Sequence, residues 1–187
     1  MKKAALIVLY ALITNQMDAQ FIKERSLNLS FGYGLTFPYE EEVDIINSGV
    51  YAQAEYVLTA SKWIAFRPYA GVLFTKSNGT DINGNFTPYK ATTNALLLGA
   101  KARLTFPIPY IAPYVESGIG ASIGRFKSIT PYSERDESGI IHHIPFSLGL
   151  SIGRNHNLDI AFTYYFQPLV QQIAGALAIG YTIPLRS

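Results

Sequence analysis

Residues 26–37 read Ser-Leu-Asn-Leu-Ser-Phe-Gly-Tyr-Gly-Leu-Thr-Phe. Every odd position is large and apolar (Leu27, Leu29, Phe31, Tyr33, Leu35, Phe37), and every even position is small or polar. Alternation with period two is the signature of a strand. A strand that crosses a bilayer needs roughly 9–11 residues tilted near 45°, and this run is long enough. Alone in hydrocarbon it would leave its N–H and C=O groups unpaired, at several kcal/mol each, so it demands a closed barrel built by the rest of the chain.

Composition supports that demand. Only 15% of the residues are charged, against about 25% in ordinary soluble domains. No apolar run beyond the N-terminus approaches the roughly 20 residues of a membrane helix. The 15 glycines and 13 tyrosines suit a narrow lumen and interfacial girdles. Without cysteine there are no disulfides and no thiolate metal sites. Residues 1–20 carry Lys2 and Lys3, an apolar core over 4–13 and a polar end at Asp18-Ala19-Gln20. This reads as an export signal cleaved beside Ala19 or Gln20. Its removal leaves a net charge of about +1, with no polybasic footprint for nucleic acid.

Seven further alternating runs follow, at 50–58, 63–74, 91–106, 111–123, 140–153, 158–166 and 173–185. Connections at 38–47, 75–90 and 125–139 are long and those between them tight, which puts both chain ends on the short-turn side. Pro68 lies inside the third run and predicts a bulge or a lost ladder hydrogen bond. A soluble barrel would load one strand face with Lys and Glu. Here the polar face is mostly Gly, Ser, Ala and Thr.

With eight runs, this loop rhythm and a leader, the chain resembles the small eight-stranded outer-membrane barrels of the OmpA and OmpX type over residues 21–187. The resemblance implies an all-β, eight-stranded antiparallel up-and-down transmembrane barrel. It further implies a monomer in the outer membrane of a Gram-negative cell, exported through the periplasm and inserted by the barrel-assembly machinery. The partners implied are outer-membrane lipid and lipopolysaccharide. The chain departs from such barrels at its end, Tyr181-Thr182-Ile183-Pro184-Leu185-Arg186-Ser187, where they usually close on an aromatic residue.

An eight-stranded barrel is just wide enough for its own side chains to fill. Strand parity directs Glu55, Glu116 and Asp159 inward together with Arg67, Lys101 and Arg103. A turn centred on residue 61 sets Glu55 across from Arg67, and one between 108 and 109 sets Lys101 across from Glu116. The expected result is a lumen plugged by paired charges; a narrow pore is the alternative.

A second alternative is a lipid A-modifying enzyme, because the deacylases among such barrels carry a His-x-Ser pair with an acidic partner. His142-His143 is expected at the outer end of the sixth strand as an interfacial pair, but Ile144 and Pro145 follow and the nearest serine is Ser147. Adjacent strand residues face opposite ways, so the two imidazoles cannot easily share a metal. His156 reads as a solvated turn residue. The stretch 81–85 departs from a calcium loop, since its glycine is misplaced and Thr92 stands where the closing glutamate belongs. Glu40, Glu41, Glu42 and Asp44 read as a solvated loop, and Asn78-Gly79-Thr80 as a sequon of no consequence in a bacterium. With no phosphate loop and no nucleophile triad, the reading is a non-enzymatic structural and surface-interaction protein without cofactor, metal or catalytic residues.

Overall fold

The computed structural model describes residues 22–38, 45–131, 134–170 and 172–185. Residues 1–20, read as a leader, and the acidic stretch 40–44 lie outside them. The strands are β1 (Glu24–Pro38), β2 (Asn47–Thr59), β3 (Ile64–Lys76), β4 (Lys90–Thr105), β5 (Ile111–Ile129), β6 (Glu134–Ile152), β7 (Leu158–Gln167) and β8 (Gln172–Pro184). Each pairs antiparallel with the next, and β8 closes on β1, so the sheet has no through-going edge. Among the described residues no helix is long and apolar enough to cross a membrane.

The outward positions carry large apolar side chains left bare, from Phe31 on β1 to Ile119 at 75% exposure on β5 and Ile179 on β8. An exposed apolar surface of this extent needs a cover, and its distribution around the whole wall suits hydrocarbon. Trp63 and Phe106 meet edge to face at the short-turn end, 6.3 Å between centroids.

One feature departs from the sequence reading, and the expectation at Pro68 is met as the lost ladder rung rather than the bulge. The charged segment 125–139 is not a loop: β5 runs on to Ile129 and β6 begins at Glu134, with rungs such as Arg125↔Ser138 and Lys127↔Asp136. The charges there mark a hairpin whose outer face has left the apolar belt. Pro68 brings no bulge, since the β2–β3 register is the same on either side of it (Glu55↔Tyr69, Leu58↔Phe66) and the ladder skips only the rungs between. Pro145 interrupts β5–β6 in the same way, between Ser117↔Phe146 and Gly120↔His143. A missing N–H removes a rung without shifting the strand.

Inward residues fill the lumen in layers. The β1–β8 wall is thin there, with Gly32, Gly34, Ala174, Ala176 and Ala178, and it leaves room for Tyr51, Leu73 and Tyr165 from the strands on either flank. Gly34 lies so close to Leu73 that a Cβ would collide with the leucine's Cδ1.

Candidate functional site

The site is the interior itself. Its layer nearest the short turns holds all six charges expected there: Glu55, Arg67, Lys101, Arg103, Glu116 and Asp159, each buried. Arg67 Nε donates to Glu55 Oε2 at 2.5 Å. Lys101 Nζ bridges Glu55 Oε1 at 2.5 Å and Glu116 Oε2 at 2.7 Å. Arg103 Nε donates to Glu116 Oε1 at 2.6 Å, and its Nη2 to Asp159 Oδ2 at 3.2 Å. Asn28 Nδ2 and Ser151 Oγ complete Asp159, at 3.1 and 2.6 Å. Three acids and three bases thus form one ring in which each carboxylate accepts from more than one donor, the condition under which buried charge is tolerated. The Arg103 guanidinium also stacks 3.4 Å over the Tyr114 ring.

The cross-strand partners differ from those expected. Glu55 lies opposite Tyr69 and Arg103 opposite Glu116, while Lys101 faces Gly118. Both turns are centred one residue later than assumed. In the first, the Ala60 and Ser61 N–H groups close on the Ile64 carbonyl; beyond the second, Phe106 N–H still bonds to the Pro113 carbonyl. Shifting a turn centre by one residue moves every partner by two, and the long Arg67 and Lys101 side chains span that diagonal.

Above the ring lies a polar aromatic layer. His143 Nε2 is 2.5 Å from the Tyr69 hydroxyl and its Nδ1 is 2.7 Å from Ser122 Oγ, while Gln167 Nε2 donates to the same oxygen at 2.9 Å. Both nitrogens of a neutral imidazole are thereby satisfied. The Tyr165 hydroxyl lies 3.0 Å from that of Tyr51 and donates to Gln53 Oε1, and Gln53 Nε2 donates to Glu55 Oε1, which ties this tyrosine pair to the ring below, while His143 meets Tyr165 edge to face. This corrects the reading of the two histidines as one interfacial pair, since His143 is enclosed in the lumen. The pair lies at the middle of β6, with His143 inside at 2% exposure and His142 outside. The signal was available, since His143 shares odd parity with Ser147 and Ser151. Gly120 makes the contact possible: a Cβ there would strike both His143 Nε2 and the Tyr69 hydroxyl. Gly120→Ala is expected to lower the urea midpoint of the refolded barrel by the equivalent of about 1–3 kcal/mol, the cost of parting a buried hydrogen-bonded pair.

Higher still, Leu73, Leu97, Phe126, Ile141 and Val170 form an apolar cap. Beyond the cap, Thr36, Thr75, Thr93 and Gln172 hydrogen-bond among themselves. A void of about 20 Å³ lies beside Tyr51, Gln53 and Glu55, room for a single water. Ser122 and His143 approach as a nucleophile and base would, but both are buried and face the lumen rather than a lipid-side rim.

No protein-family model matches the chain, and no curated protein matches it either. Solved structures do. Neisserial surface protein A superposes with a TM-score of 0.60 at 12% identity, over 86% of this chain and 97% of that one. The fold is that of the small eight-stranded outer-membrane barrels. Ail, the attachment invasion locus protein of Yersinia pestis, aligns with a TM-score of 0.47 at 16% identity, over 86% of this chain and all of that one. The outer membrane enzyme PagL aligns at 0.45 and 15%, over 84% and 99%.

The remaining sequence candidates fall outside the lumen. Asp81 turns its carboxylate onto its own loop, accepting from the Asn83 and Asn85 N–H groups and from Asn85 Nδ2. These bonds, the Asn85 side chain's first, hold it below its ordinary pKa. His156 is not free in solvent, because its Nε2 lies 3.0 Å from the Ile108 carbonyl and ties two short turns together.

Proposed function

We propose that this chain is an integral outer-membrane barrel, closed to solute, that acts through the surface it presents beyond the membrane. The observation that carries this reading is the filled interior: among the described residues a buried charge ring and a buried apolar cap lie in series along the lumen. The long-loop end is the surface left for interaction, and the β5–β6 hairpin stands highest on it. Its outer face carries Arg125, Lys127 and Asp136. Arg125 and Lys127 donate to Asp136 at 2.7 and 3.2 Å, and Arg125 foremost holds that carboxyl below the usual carboxylate range. Export through the periplasm, insertion by the assembly machinery, contact with lipopolysaccharide and a monomeric state belong to the same proposal, as does the absence of catalysis.

The mature chain refolded in non-ionic detergent is expected to shift mobility on a gel when boiled, and in a planar bilayer to add no conductance. A detergent-independent soluble β fold would overturn the membrane reading, and steady ohmic current would overturn the seal.

A further inference from the structure

At the short-turn end the barrel is open. A vestibule of about 1170 Å³ reaches from the rim at Lys23, Arg25 and Lys62 to Arg67 and Arg103 inside the barrel. Among the described residues lining it, Glu24 is the one carboxylate against these five cations.

The charge ring is therefore polarised along the barrel axis. Arg67 and Arg103 border the vestibule, while Glu55, Glu116 and Asp159 do not. The ring is neutral as a sum, yet a molecule in the mouth meets its basic side. Arg67 is 2% exposed, and its Nη2 has no hydrogen-bond acceptor; the Asp159 carboxylate stands 3.7 Å away. Rim lysines and arginines commonly serve as anchors at lipid headgroups. That role cannot extend to two arginines enclosed by the barrel. A cleft lined by one sign of charge between low-dielectric walls concentrates its field on the opening.

We propose that the vestibule binds a small polyanion, a molecule carrying two or more phosphate or carboxylate groups, entering from the compartment that the short turns face. The rim cations meet one anionic group and the guanidinium floor draws another inward. Guanidinium is suited to both chemistries because its N–H fork matches the oxygens of either.

The test is calorimetric titration of the refolded barrel in non-ionic detergent with pyrophosphate and, separately, with citrate, each at low and high salt. Saturable binding of at least one is expected, weakened by salt as screening requires. Binding of pyrophosphate alone assigns a phosphate ligand, and binding of citrate alone a polycarboxylate. The triple variant K23Q/R25Q/K62Q leaves the buried ring intact, and its boiling-dependent gel shift checks that it folds. It should bind at least about tenfold more weakly, since three partly exposed charge contacts are removed. No saturable binding of either anion, or binding by the triple variant equal to that of the parent, would overturn the proposal.

Discussion

Glu116→Gln is expected to lower the unfolding free energy of the refolded barrel by about 3–5 kcal/mol, the range for breaking a buried ion pair from one side. The amide nearly preserves the volume, so the loss reports charge and not a cavity. Glu116 accepts from Lys101 and Arg103 and lies 3.6 Å from Arg67 Nε. Neutralising it leaves three bases facing two acids in a closed interior. Adding Lys101→Met restores the balance with an apolar side chain of similar length, and the double variant should recover more than half of the loss, because replacing both partners is often close to neutral. Trp63, the single tryptophan, lies at the belt edge and provides a fluorescence signal for the urea titration. A double variant no more stable than the single one would mean that Lys101 and Glu116 do not act as partners.

Phe126→Ala should cost a similar amount, about 3–5 kcal/mol, by the different route of an unfilled cavity. Phe126 is buried at 1% exposure among Leu73, Leu97, Ile141 and Val170, contributed by four other segments. Its neighbours are held by the sheet and cannot collapse far into the gap. The lumen should nevertheless stay non-conducting, since the charge ring seals it independently. A loss below about 1 kcal/mol would show that the cap is not tightly packed, and current through the variant would show that the ring alone is no barrier.

The strand order was legible because outward side chains obey one rule, apolar at every second residue, and the belt enforces it on all eight strands. The cap was not. Leu73 and Leu97 lie in the unbroken apolar triplets Val72-Leu73-Phe74 and Leu96-Leu97-Leu98, where alternation gives no contrast between inside and outside. They emerge as inward only by counting on from Tyr69 and Lys101. The six charges were found by the same parity, but their partners were misassigned, because turn geometry is a local backbone matter that apolar patterning does not encode. The hairpin was misread for a related reason: beyond the belt nothing requires its outward positions to be apolar, so Arg125 and Lys127 resemble a loop although Phe126 and Ser128, which alternate with them, remain buried.

That hairpin bears on how such a protein can change over time. The last rung between β6 and β7 is Ile144↔Phe166; beyond it the lower part of β6 packs on the Pro168–Val170 turn, as Ile141 does against Val170, and its end near Glu134 is held by rungs to β5. Insertions or deletions near its tip would lengthen or shorten an appendage while leaving the register of the wall below untouched. Variation at the tip and folding of the wall are thereby decoupled in this part of the chain, and the tip can be rewritten without renegotiating the barrel.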